Sequence, residues 1–158
     1  MSTLEVSKSD TTARGGIQYV TVRIGPQLFG LAIDMVHEVF VPDAITRVPL
    51  AWREIEGVLN LRGRIVTMIN MRMLLGLPPA DATCMAVGIE HHGESFGLII
   101  DEVGEVLVLD PARRESSPAN LDAQWSDLVT GVYRLSGDLM LVLDVDLALR
   151  RAGTARAA

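Results

Sequence analysis

Cysteine is all but missing from this chain: Cys84 is the only one among 158 residues. An internal disulfide is therefore excluded, and a reducing compartment, the cytoplasm, is expected. Long apolar runs are missing as well, since none approaches the ~18 residues of a membrane-spanning helix. Residues 1–16 have no apolar segment of the kind that a secretory signal carries. Gly15-Gly16 and the later glycines stand without the lysine that a phosphate-binding loop uses. The histidines are His37, His91 and His92. Together with Cys84 they do not offer three or four ligands at the spacing of a metal site, and Cys84 has no companion base to make it a nucleophile. No catalytic set, cofactor or metal is expected, and so no enzyme. A net charge of −6 argues against nucleic acid as a partner.

What is present is the composition of a soluble globular domain, 49% hydrophobic and 22% charged, long enough for one sizeable core. Charge is uneven: residues 1–80 hold 8 basic and 7 acidic side chains, whereas 81–158 hold 6 and 13. The halves offer different electrostatic surfaces, which a bridge between unlike partners can use, although an acidic half also simply aids solubility.

Residues 1–16 are polar and read as a flexible tail, and 153–158 as a short one. Between them, 17–152 read as one domain. Tyr19, Thr21 and Arg23 alternate with Val20, Val22 and Ile24 in a strand pattern. Ala51–Glu56 and Met71–Leu77 read as single helical turns, the second stopped by Pro78-Pro79. Asp144 reads as the N-cap of a helix over Val145–Arg151, whose Arg150 and Arg151 suit the negative end of the helix dipole.

After Ala80 the pattern restarts. Phe29-Gly-Leu-Ala-Ile-Asp34-Met-Val36-His-Glu38-Val39 recurs as Phe96-Gly-Leu-Ile-Ile-Asp101-Glu-Val103-Gly-Glu105-Val106, identical at most positions and 67 residues later. Gly57-Val58-x-x-Leu61-x-Gly63 recurs as Gly131-Val132-x-x-Leu135-x-Gly137, 74 residues later, with the extra length in a loop over Pro111–Gln124. The chain thus holds two copies of one β unit, roughly 17–80 and 81–150. Each offers about five short strands, as in a small barrel or sandwich, and two such units are expected to share apolar surface. Phe29 and Phe96 should occupy equivalent buried positions. Whether the strands stay within their own copy is open at this level.

The central hairpin runs from Gly57 to Arg72 and turns at Arg62-Gly63, where Gly63 supplies a positive φ. Gly57 and Gly63 read as backbone-geometry residues. An arginine on a stiff turn presents its donors in a defined direction. Glu38 and Glu105 are equivalent in the two copies, but Arg62 is matched by Ser136. A residue needed merely to build the hairpin would be needed twice, so the asymmetry favours recognition. As an exposed turn residue, Arg62 is expected to contribute under ~0.5 kcal/mol to stability.

The same hairpin, Gly57-Val58-Leu59-Asn60-Leu61-Arg62-Gly63 followed by an apolar strand and Asn70-Met71-Arg72, resembles the signature of the CheW-like domain family. The resemblance runs from about Tyr19 to Arg150 and includes Phe29-Gly30-Leu31-Ala32-Ile33, Ile45-Thr46-Arg47-Val48-Pro49 and Leu141-Val142-Leu143-Asp144-Val145. Thr67 and Asn70 depart from it, standing where the family often has proline and aspartate. The resemblance implies an all-β fold of two SH3-like five-stranded barrels sharing a core, with short helices including one at the C-terminus. It implies a non-enzymatic chemotaxis adaptor that joins chemoreceptor signalling tips to the regulatory domain of a histidine kinase, itself CheW-like, and to other CheW-like copies in arrays. Arg62 and Glu38 would form an ion pair at the mouth of a groove between the subdomains. Val36, Asn60, Leu61, Val87 and Leu98 would bind the receptor with them, and the kinase would meet exposed barrel ends, strand against strand. The protein would be cytoplasmic and reach the membrane only through partners. Two other readings stand beside this one: a CheW-like scaffold with another output, such as surface motility, and a small ligand- or metal-binding barrel using Cys84 and His92.

Overall fold

The computed structural model describes residues 3–5, 16–51, 53–80, 84–118, 121 and 123–152. The expected tails lie outside these residues, except that Gly16 is described and Thr3–Glu5 form a short strand, β1. The first repeat contributes β2 (Ile17–Ile24), β3 (Gln27–Ala32), β4 (Glu38–Phe40), β5 (Ile55–Leu61), β6 (Arg64–Asn70) and helix α1 (Met71–Leu74). The second contributes β7 (Met85–His91), β8 (Glu94–Ile100), β9 (Glu102–Leu109), helix α2 (Ala123–Ser126), β10 (Val129–Leu135), β11 (Asp138–Leu143) and helix α3 (Val145–Arg151). Asp144 caps α3 as expected, its carboxylate accepting from the Leu147 N–H. Of the helical turn expected over Ala51–Glu56, Ile55 and Glu56 belong instead to β5. There Gly57 lies so close to Thr46 that an added Cβ would stand 2.2 Å from the Thr46 carbonyl oxygen. The loop expected over Pro111–Gln124 passes into α2, whose Trp125 packs at a tilt against Phe29 and donates to the Leu75 carbonyl.

The strands form two sheets, and the repeats exchange their first hairpins. One sheet has the order β1-β4-β7-β8-β6-β5 and the other β10-β11-β3-β2-β9. Barrel A therefore takes β4, β5 and β6 from the first repeat and β7 and β8 from the second. Barrel B takes β2 and β3 from the first and β9, β10 and β11 from the second. The cause is local. Only Asp101 separates β8 from β9, and a hairpin needs at least about two turn residues. The strand β9 cannot fold back onto β8 and runs into the other barrel.

The register obeys the repeat. Phe29 lies between Val22 and Leu141, and Phe96 between Ile89 and Thr67. Both are buried in one core that lies between the barrels and collects Val20, Val22 and Leu31 from one sheet and Val87, Ile89 and Leu98 from the other. Alternate residues point into the barrels instead. Phe40, Leu59, Leu61 and Met68 fill barrel A, and Tyr19, Tyr133, Met140 and Val142 fill barrel B.

Each repeat on its own would keep two hairpins but leave one strand, β4 or β9, without a partner, and would hold half of the common core. Residues 17–80 and 81–152 expressed separately should fail to show cooperative unfolding, and mixing them should restore a β-sheet circular dichroism signal. A cooperative thermal transition in either half alone would contradict the exchanged topology.

Candidate functional site

The β5–β6 turn carries the asymmetric arginine. Arg62 and Gly63 both have positive φ, 53° and 85°, the pattern of a tight hairpin turn that matches the strand twist. For arginine this conformation costs roughly 1 kcal/mol. Asn60 latches the turn, its Oδ1 accepting from the Gly63 N–H at 2.9 Å. From this perch the Arg62 guanidinium donates to Glu38 Oε1 at the start of β4. The partners differ in setting, with the arginine side chain 59% exposed and the glutamate side chain 7%. Glu38 lies opposite Gly88 on β7. A Cβ there would stand 3.1 Å from Glu38 Cγ, so the bare glycine makes the room. A second ion pair, Arg64 with Glu90, and the 61% exposed Ile65 flank the tip.

The hollow beneath the tip is walled by barrel A alone and is about 10 Å³, room for one water at most. Its counterpart on barrel B is an open groove of about 490 Å³. There Leu107 replaces Phe40, Ser136 replaces Arg62, and Glu105 is exposed where Glu38 is buried. The flanking ion pair is also reversed in sign: Arg23 and Asp138, 2.5 Å apart, hold the places of Glu90 and Arg64.

The structure thus brings Arg62, Glu38, Asn60 and Leu61 together at one barrel end. It does not bring Val36, Val87 and Leu98 to that surface. All three are buried in the common core, because the facing sheets need their side chains to fill it. The expectation that Arg62 contributes under ~0.5 kcal/mol also changes. Removing it would leave a buried carboxylate without its cation, which costs about 1–3 kcal/mol.

A second charged corner lies where the β2–β3 turn meets barrel A. Arg72 clamps Asp101 through Nε–Oδ1 at 2.9 Å and Nη2–Oδ2 at 2.6 Å, and the Gly25 N–H donates to the same carboxylate. These bonds, the arginine first, hold the Asp101 carboxyl below its ordinary value, against a smaller opposing effect of burial. Nearby, burial pushes the Cys84 thiol up, with Asp101 adding to the shift, which makes Cys84 a poor nucleophile. In barrel B, burial pushes the Tyr133 phenol up to about 12, with the Tyr19 hydroxyl contributing. Among the described residues, one group of three or more His, Cys, Asp or Glu side chains is placed to hold a metal ion: His91, His92 and Asp146. Cys84 is not part of it. Spacing along the chain did not reveal the group, because Asp146 lies on α3, far from the two histidines in sequence.

The family described as the CheW-like domain has a model that matches residues 18–153. A chemotaxis protein CheW of Treponema pallidum is 27% identical over 137 residues, 81% of this chain and 79% of its own. A probable chemotaxis protein CheW of Rhizobium etli is 32% identical over 138 residues, 84% of this chain and 87% of its own. Among solved structures, the scaffolding protein TtCheW of Thermoanaerobacter tengcongensis superposes with a TM-score of 0.76 at 27% identity, covering 85% of this chain and 88% of that one.

Two outcomes follow from the charged corners. Arg62→Ala should lower stability by about 1 kcal/mol or more, through the stranded Glu38, and Glu38→Gln in the same chain should recover part of it; urea melts of the three variants decide. For Asp101, whose carboxyl is depressed on folding, the stabilisation is complete above the ordinary carboxylate value and is lost as pH falls through the depressed one. Arg72→Met should flatten the decline in melting temperature between about pH 4 and pH 2. An unchanged acid slope would mean that Asp101 is not the group responsible.

Proposed function

Because the chain belongs to the CheW-like domain family, we propose that it is a chemotaxis coupling scaffold, without catalytic turnover, that joins a chemoreceptor signalling tip to the regulatory domain of a chemotaxis histidine kinase. The observation that carries this reading is the Arg62 tip, a cation on a strained turn over a buried carboxylate in one barrel and absent from the other. One edge of the guanidinium engages Glu38, and the exposed remainder offers directed donors to carboxylates or carbonyls of a helical receptor tip. Ile65 supplies apolar contact beside it. Asn60 and Leu61 fix the turn, and Val36, Val87 and Leu98 are the packed floor that sets β4, β7 and β8 beneath it. The kinase regulatory domain would take the other end. There β9 closes its sheet with exposed Val106 and Val108, at 42% and 60%. An edge strand of this kind accepts a partner strand. The sign reversal between Arg64–Glu90 and Arg23–Asp138 gives the two ends different electrostatic surfaces, suiting unlike partners. Such a protein works in the cytoplasm, at receptor arrays that it reaches through its partners.

The test is a pair of binding isotherms, with a receptor tip fragment and with the kinase regulatory domain, on folded variants. Arg62→Ala should weaken the receptor complex by roughly tenfold or more and leave the kinase complex within about twofold. Val108→Asp should do the reverse. Equal loss of both partners in Arg62→Ala would mean that the arginine acts on the fold and not on recognition.

A further inference from the structure

The repeat relates two corners at which a hairpin turn of one barrel docks on the other. At the first, the Ile24-Gly25 turn meets Asp101 and Arg72, and the arginine neutralises the aspartate. The same spacings of 67 and 74 place His91-His92 at the second corner, with Asp34 in the position of Asp101 and Asp146 in the position of Arg72. The cation of the first corner is thus replaced by a second carboxylate. Asp34 and Asp146, with Asp144, line a cavity of about 500 Å³ that one arginine, Arg114, also borders. The apolar isoleucine and the glycine of the first turn are both replaced by imidazoles.

Those imidazoles meet Asp146. The two rings lie edge to face with centroids 4.0 Å apart. His91 Nε2 is 2.9 Å from Asp146 Oδ1. One ligand atom from each of His91, His92 and Asp146 falls within 4.8 Å of the others. We propose that His91, His92 and Asp146 bind a divalent transition-metal ion of the Zn²⁺ or Ni²⁺ class, which staples the β7–β8 turn of barrel A to α3 of barrel B.

The donor set is two imidazoles and a carboxylate, the nitrogen and oxygen ligands that such ions prefer over harder cations. Bonds of about 2.0–2.1 Å to a tetrahedral ion place neighbouring ligands about 3.3 Å apart. The His91–Asp146 pair, 2.9 Å apart, needs to open by only a few tenths of an ångström to admit the ion. His92 is exposed, with φ 51°, so its ring can rotate inward without moving the turn. Arg150 holds the second oxygen of Asp146 at 2.8 Å, and orients the carboxylate as an outer partner does at metal sites. Three protein ligands leave further positions for water.

The experiment uses the full, untagged chain, stripped with a chelator and titrated with Zn²⁺ and separately with Ni²⁺ by calorimetry, alongside melting curves. One ion per chain should bind with a Kd in the micromolar range or tighter, and the melting temperature should rise with metal concentration, because only the folded state assembles the site. His92→Gly keeps the left-handed turn and should weaken binding at least about tenfold, as should Asp146→Asn. His37→Gln should leave binding unchanged. No stoichiometric binding, or equal affinity in wild type and His92→Gly, overturns the proposal. Metal-free melts establish that each variant is folded, and His92→Gly decides if Asp146→Asn is not.

Discussion

A single residue, Asp101, stands between β8 and β9, and the architecture depends on that brevity. A chain that cannot reverse must continue, and β9 continues into the other barrel. The equivalent passage from β3 to β4 is longer, Ile33–His37, so there it is not link length but a 3₁₀ turn that leads the chain into the other barrel. Two crossings make the barrels inseparable, since each owns a hairpin encoded in the other's half of the chain. The core between the sheets is where Phe29 and Phe96 lie, in the same register under the repeat. Asp101 then serves twice: its carboxylate, held by Arg72, also receives the Gly25 N–H and ties the visiting hairpin down.

Against this symmetric frame the departures carry the chemistry. Where the first repeat has Glu38, Phe40 and Arg62, the second has Glu105, Leu107 and Ser136, and one barrel end is packed shut while the other stays open. The same two strand positions carry Arg64–Glu90 in one barrel and Arg23–Asp138 in the other. Exposed ion pairs of this kind contribute about 0–1 kcal/mol in either orientation. Folding is therefore indifferent to their direction, and the direction is free to distinguish the two surfaces.

The repeat, the strand count and the cap at Asp144 were legible in the sequence itself, whereas the Arg62–Glu38 pair was implied only by the family resemblance. Alternation and turn residues report local structure, and a duplicated motif reports its own equivalence. Three things were not legible. The exchange of hairpins depends on a link length that becomes decisive only when strand ends are known to within a residue. The burial of Val36, Val87 and Leu98 depends on which face of each strand meets the other sheet, and both faces are apolar. The approach of Asp146 to His91 and His92 depends on how the last helix packs, which no spacing along the chain encodes.

The buried position of Glu38 has a further consequence for the tip. An isolated arginine would sample many rotamers, and fixing it on a partner would cost about 2 kcal/mol of side-chain entropy. Glu38 fixes one edge of the guanidinium before any partner arrives, so less ordering remains to be done on binding. That pre-organisation has its own expense, because a carboxylate in the barrel wall must be desolvated, and Arg62 must hold a left-handed backbone. The ion pair itself offsets part of the desolvation, but the hollow below is nearly filled and adds little new burial. The remaining offset comes from the core shared by the two barrels, through β4 and β7, which pair directly beneath the tip. Exchange of hairpins, which looks like a matter of topology alone, is what lets a small barrel end keep a strained, partly desolvated recognition group in place.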